Sequence, residues 1–395
     1  MFLTKEQEAM LNGEKGEVAQ RCMRLLARLG DIYGADKMIP VTSVQVAGVS
    51  YKSIGDPGLE FLKDFASKKA KVGVMTTLNP AGMDLRDWKP LGFPYDFAEK
   101  QAEIIEAFSK MGIKITVTCT PYLAGNRPRF GDHIAWSESS AVSFANSVIG
   151  ARTNREGGPS SLASAICKVT PNYGLHLDEN RKPNFLVRIG TELKTFSDFG
   201  ALGYWAGQQV KNKIPYFTGV SSASEDHLKA LGAAMAASGA VALYHMENIT
   251  PEAKDHDTSG IETLEFGKKE LKESYEKLNT GESPDIVVFG CPHASLDEIK
   301  TIASKLEGKN VKKKLWICTS RAVRDKAESG GFVKKIEDAG GNVVADTCMV
   351  VSPIERMGFK TTGVNSGKAA NYLPGFCKQN VVFRDIDRLI REVTS

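Results

Sequence analysis

The 395-residue sequence has no Cys-x-x-Cys pair, no long apolar run and no basic tract interleaved with aromatic residues. The missing Cys-x-x-Cys excludes the zinc-ribbon and ferredoxin signatures, which declare their metals by that spacing. The most apolar stretch, Leu231 to Leu243, is short and rich in alanine and glycine. His227, Lys229, His245 and Glu247 flank it, so it does not read as a membrane span. Charge is nearly balanced, 51 basic against 47 acidic residues, which gives no nucleic-acid footprint. The opening residues include Lys5, Glu6, Glu8, Glu14 and Lys15 and no apolar core, so a signal peptide is not expected. Seven cysteines, odd in number and widely spread, do not form a disulfide framework; a reducing cytoplasm is the expected compartment.

What the sequence has is β-loop-α alternation, the pattern of an α/β fold, at a length that calls for two or three units. A strand is expected near Pro40–Ala47, ending in Gly48-Val49-Ser50. A helix at Pro57–Lys68 and a strand at Lys71–Thr76 follow, the latter running into Asn79-Pro80. A helix at Phe97–Met111 leads to an expected strand over Ile113–Thr118, and in the C-terminal part helices are expected near Leu296–Leu306 and Ala322–Ala339. The spacing divides the chain into an N-terminal α/β region over 1–250, itself one or two domains, and a C-terminal α/β domain over 285–395. Between them, 251–284 is charged and poor in large apolar residues, and reads as a surface connection with one exposed helix.

Four expected strands run into cysteines. Ile113–Thr118 leads to Cys119, Ile286–Gly290 to Cys291, Lys314–Ile317 to Cys318, and Asn342–Thr347 to Cys348. The carboxyl ends of parallel strands are where open α/β folds bind ligands, and soft thiolates gathered there suit a metal or iron–sulfur centre. Free cysteine is also a common buried residue, so packed core thiols are the competing reading. Cys22 lies on an apolar helical stripe and reads as core. Cys167 and Cys377 lack strand-end context and read as structural.

Other constellations carry two readings each. Gly48-Val49-Ser50 and Asn79-Pro80 offer N–H groups, a hydroxyl and an amide to an anion, but such residues also make ordinary turns. Ser137-Glu138-Ser139-Ser140 is either a capped helix start, with Ser137 as the cap, or a substrate contact through Glu138 and Ser139. Arg127, Arg129, Arg152 and Arg155 sit in loops where they would grip an anion, and Lys368 follows an expected strand. His133, His176 and His293 are candidate bases.

In order along the chain, these fragments resemble the aconitase X family. The matching pieces begin with Leu3-Thr4, Glu6, Gly48-Val49-Ser50, Asn79-Pro80 and Thr118-Cys119-Thr120-Pro121-Tyr122. They continue through Ser137-Glu138-Ser139-Ser140 and the run from Gly150 to Gly157, then Gly290-Cys291-Pro292-His293-Ala294-Ser295, Asp346-Thr347-Cys348 and Ser366-Gly367-Lys368. Each is weak alone and the ordered set is specific.

The resemblance implies a multi-domain aconitase-like large subunit, with α/β units around a central iron–sulfur site. It implies a [4Fe–4S] cluster on Cys119, Cys291 and Cys348, with Cys318 left out. Substrate contacts map onto Gly48, Val49, Ser50, Asn79, Pro80, Glu138, Ser139 and Lys368. The implied reaction is dehydration of (R)-5-phosphomevalonate to trans-anhydromevalonate 5-phosphate in an archaeal-type mevalonate pathway. Glu138 is a candidate proton donor to the leaving hydroxide, and Ser139 is placed beside it. The resemblance also implies a small-subunit partner, expected to supply a serine base, since the chain is too short for the fourth domain of ordinary aconitases. The alternatives are a cis-3-hydroxy-L-proline dehydratase, a non-catalytic iron or redox sensor, and a zinc hydrolase using the same thiols.

Overall fold

Segments such as Ile286–Phe289, apolar at every position, form strands covered on both faces, which is how parallel sheets bury their strands. The computed structural model, describing residues 1–395, contains three sheets of this kind, all parallel. The first unit carries strands in the order Met75–Leu78, Ser43–Val46, Ala135–Trp136, packed against the helices Glu17–Tyr33, Tyr51–Ser67 and Tyr95–Lys110. The second orders His245–Met246, Pro215–Thr218, Phe185–Ile189 and Glu262–Phe266 beside the helices Phe196–Val210 and Glu225–Gly239.

The third unit orders Asn342–Ala345, Lys314–Thr319, Ile286–Phe289, Thr361–Val364, Asn380–Phe383. The first three strands in sequence step outward in one direction, and the fourth returns to pair with the other side of Ile286–Phe289. That reversal is a topological switch point, where open α/β sheets leave a crevice. Cys291 follows one strand at the switch, and Asn365-Ser366-Gly367-Lys368 follows the other.

Three expectations are corrected. Ile113–Thr118 is not a regular strand. Lys114 and Thr118 donate to Thr76 and Leu78 beside the edge of the first sheet, but Val117 takes a φ of 46°, which breaks the ladder. The charged stretch 251–284 is more than a connection, because it supplies the strand Glu262–Phe266, paired along its length with Phe185–Ile189. Only Phe266 of that edge strand is buried, which hid it from the apolar pattern. The helix expected over Ala322–Ala339 is two helices, Arg321–Ser329 and Phe332–Asp338, parted at Gly331 in the left-handed region.

Gly290 turns the chain from its strand to Cys291 with φ +92°, and a Cβ there would collide with the carbonyl of Cys318. Gly290→Ala therefore combines strain with a backbone clash, and a loss of about 1–3 kcal/mol or more is expected in denaturant unfolding.

Candidate active site

Cys119, Cys291 and Cys318 are buried and Cys348 is partly exposed, and all seven cysteines are free thiols. Cys348 lies near enough to the other three to raise the pKa of each. Burial is the largest influence on all four; it pushes Cys291 up to about 12 and Cys119 well above the ordinary thiol value, while Lys368 pulls both back. Cys318 differs in place. It lies inside its strand rather than beyond it, fully buried among apolar neighbours that include Trp316 and Val344.

The loops Gly48-Val49-Ser50 and Asn79-Pro80, expected to contact substrate, reach this space and are stitched together by Gln101. Its Nε2 donates to Val49 O at 2.8 Å, and its Oε1 accepts from Tyr51 N at 3.2 Å and Gly82 N at 3.1 Å. Ser50 caps the following helix and donates from Oγ to Val351 O at 2.6 Å, so the Gly48-Val49-Ser50 loop rests on the segment after Cys348. Asn79-Pro80 precedes Ala81, whose N–H donates to Asp346 O at 2.9 Å and whose carbonyl accepts from Cys348 N at 3.0 Å. The side-chain oxygen of Asn79 is buried without a protein partner, an open acceptor in this loop.

The helix Ser139–Phe144 is capped by Glu138 rather than Ser137; Glu138 Oε2 accepts from Ala141 N at 2.8 Å and from Ser140 Oγ at 2.5 Å. Its other oxygen is paired with Lys368, whose Nζ also donates to Ser140 Oγ at 3.2 Å. Ser137 Oγ instead lies 2.7 Å from Ser161 Oγ and 3.0 Å from Gln45 O, within hydrogen-bond reach of both. Burial works against both charges of the pair. Lys368 nevertheless holds Glu138 below the usual carboxylate range, and Glu138, with Cys291 and Cys119, holds Lys368 above the usual ammonium range. Glu138 is thus an ionised acceptor at neutral pH, which runs against its expected role as proton donor. Ser139 is buried, and its hydroxyl makes no bond within the chain.

The histidine and arginine candidates divide. His293 lies among the cysteines, its Nδ1 2.9 Å from Thr118 Oγ1 and its Nε2 2.9 Å from Thr347 O. Burial, the chief influence, pushes it down to about 4, and with both nitrogens engaged it is no free base. His133 and His176 bond to each other at 3.0 Å, and their charged neighbours are Arg152, Arg181 and Asp178 rather than the thiols. Arg127 pairs with Glu225 and Arg152 with Asp178 and Glu252, so these two hold segments together; Arg129 and Arg155 are exposed.

The only three His, Cys, Asp or Glu donors that converge within 4.8 Å of one another are His245, Glu252 and His256. Both oxygens of Glu252 are occupied by Arg152 and Arg181, two cations that oppose a third. No three of the thiols lie within 4.8 Å of one another, whereas a tetrahedral zinc site with 2.3 Å bonds sets its sulfurs roughly 3.8 Å apart. Free thiols from three loops, not gathered to single-ion spacing, fit a polynuclear thiolate-held cluster better than a single ion.

This architecture is that of a multi-domain α/β dehydratase, and the chain belongs to the aconitase X family. Models of the Aconitase X first, second and third domains match residues 1–179, 183–276 and 284–395. The chain is 57% identical over 99% of its length to the whole of the phosphomevalonate dehydratase large subunit of Methanocaldococcus jannaschii. It is 52% identical to that of Methanothermobacter thermautotrophicus, covering 98% of it. A cis-3-hydroxy-L-proline dehydratase of Pseudomonas aeruginosa is 34% identical, with 95% of this chain matching 67% of that protein. A crystal structure of Thermococcus kodakaraensis aconitase X in its holo form superposes with a TM-score of 0.94 at 50% identity, each chain fully covered. No helix is long and apolar enough to cross a membrane.

Removing one member of the Glu138–Lys368 pair leaves the other charge buried. Lys368→Met is therefore expected to cost about 3–5 kcal/mol in denaturant unfolding, and the double variant with Glu138→Gln to recover part of it. The depressed Glu138 value contributes stability above the ordinary carboxylate range, lost as pH falls through the folded value. The raised Lys368 value contributes stability below the ordinary lysine range, lost as pH rises through its folded value. The difference between wild type and double variant is thus expected to be flat around neutrality and to shrink at both extremes.

Proposed function

We propose that this chain is the large subunit of a cytoplasmic iron–sulfur dehydratase converting (R)-5-phosphomevalonate to trans-anhydromevalonate 5-phosphate. The observation that carries the reading is the meeting of three free thiols from separate loops with the buried Glu138–Lys368 pair, in a chain 50–57% identical to four proteins of that name. Cys119, Cys291 and Cys348 would hold a [4Fe–4S] cluster. When bound, it supplies a Lewis-acidic iron that withdraws charge from a hydroxy acid.

The chain's own residues bind and orient the substrate. Lys368 has three N–H donors and spends two on Glu138 and Ser140, so one is left for an anionic group of the substrate. Glu138, ionised and fixed by its cap bonds, accepts from a substrate hydroxyl, with Ser139 offering a second hydroxyl beside it. Gly48, Val49, Ser50, Asn79 and Pro80 form the opposite wall, where the unpartnered Asn79 oxygen awaits a donor. The proton at the carbon next to the carboxylate passes to a serine of the small subunit, the partner that the name large subunit presupposes in the relatives. The hydroxyproline dehydratases, at 32–34% identity, extend well beyond the matched span and are the less similar relatives.

The test is iron and acid-labile sulfide per chain after anaerobic purification, then turnover with the small subunit added. About four of each are expected, retained in Cys318→Ala and lost in Cys119→Ala, Cys291→Ala and Cys348→Ala. Phosphomevalonate should be dehydrated and cis-3-hydroxy-L-proline left unchanged. A chain that stays iron-free after reconstitution, or that turns over only the proline, would overturn the proposal.

A further inference from the structure

His293 is the one residue whose polar atoms reach every segment that bears a cluster cysteine. It follows Cys291 by two positions. Its backbone N–H donates to Cys119 Sγ at 3.2 Å. Its Nε2 lies 2.9 Å from Thr347 O, the residue before Cys348; a carbonyl only accepts, so Nε2 carries the hydrogen. Nδ1 lies 2.9 Å from the hydroxyl oxygen of Thr118, the residue before Cys119, and the two share a hydrogen bond. The same Thr118 oxygen accepts from Thr120 N at 3.1 Å, which bends the backbone around Cys119. The His293 carbonyl accepts from Lys229 Nζ at 3.3 Å, and the buried Lys229, paired with Asp226 and Glu298, brings in the second unit. These bonds are buried and lead to three other stretches of chain, at Thr118-Cys119, Thr347 and Lys229.

From this geometry we propose that His293 is a positioning residue that holds the Cys119, Cys291 and Cys348 loops at cluster spacing, through one ring strung between Thr118 and Thr347. The proposal rests on the cluster reading above. It assigns His293 a role in assembling and retaining the centre rather than in moving a proton.

The test uses the full chain in two forms. In the metal-free form, iodoacetamide alkylation is followed at each cysteine by mass spectrometry. His293→Phe keeps the ring volume and removes both ring bonds. Alkylation at Cys119, Cys291 and Cys348 is expected to rise about ten-fold or more, with Cys22 and Cys167, in the core of the first unit, unchanged. Thr118→Val, which removes only one ring bond, should give a smaller rise confined to the same thiols. His293→Gln, which keeps an acceptor and a donor, should restore part of the protection.

In the reconstituted form, the half-time of iron loss to a chelator should shorten in the same order. Unchanged alkylation of the three thiols in His293→Phe would overturn the proposal. So would an equal rise at Cys22 and Cys167 in all three variants, which marks general loosening. If wild type takes up no iron, the cluster reading fails separately, and the alkylation pattern still decides the role of His293.

Discussion

The seam between the first and third units hangs on Arg321, held between two buried carboxylates. Its Nη2 meets Asp84 Oδ1 at 2.5 Å and Asp346 Oδ2 at 2.6 Å, and Asp84 Oδ2 also accepts from Ala345 N at 2.9 Å. Asp84 is fully buried and Asp346 nearly so, so neither charge has water to fall back on. Burial and the nearby Asp84 raise Asp346, and Arg321 lowers it, without restoring the ordinary value. Taking Arg321 away would strand two like charges side by side, a mechanism that ranks among the most destabilising. Because Asp346 leads into Thr347-Cys348, the clamp also fixes where one expected cluster ligand stands. Ala81 then pairs backbone to backbone with that same segment. The Asn79–Ala81 loop and the Cys348 loop are therefore set by one electrostatic contact.

Lys368 plays the matching part on the other side of the crevice. It is the cation that lowers Cys119, Cys291 and Cys348 against a burial that raises them all. Its anchorage comes from the third unit, at the helix Gly367–Cys377, while its partner Glu138 belongs to the first. Gly367 lies against the backbone of Gly200 in the second unit, so all three units close on this point. A crevice built across units can change shape when they shift, and a site that must admit a substrate gains from that freedom.

The sequence revealed the features that depend on local pattern. Cysteines placed just past apolar strands pointed to the carboxyl edge of a parallel sheet, and Cys291 and Lys368 do flank the switch point. Glu138 at a helix start was legible too, although the cap proved to be Glu138 itself, since a carboxylate caps as well as a hydroxyl. What stayed hidden was long-range polar pairing. Gln101 sits mid-helix and Asp84 in a loop, where both look like solvated residues, and nothing in the chain foretells that one binds Val49 and the other Arg321. Arg152 looked like an anion grip because arginine in a glycine-rich loop has two uses, and only the fold shows Glu252 waiting for it. The left-handed Val117 escaped for another reason: β-branched residues so rarely take positive φ that the Ile113–Thr118 run read as an unbroken strand.

The division of labour in the reaction follows from how thoroughly this chain engages its own proton carriers. His293 uses both ring nitrogens and His133 bonds His176. Likewise His245 contacts the carbonyl of Arg181, and His227 accepts from Ser224 N. Glu138 is ionised but committed on both oxygens, and Lys368 is protonated and held so. No histidine stands idle beside the thiols, and no carboxylate there has a spare basic oxygen facing nothing. Such a surface is suited to binding anions, fixing a hydroxyl and retaining a metal centre. It is ill suited to taking a proton from carbon, which needs a group free to change its protonation within reach of the substrate. The base proposed to come from a second polypeptide would meet that need, and would separate the electrostatic half of the site from its proton-transfer half.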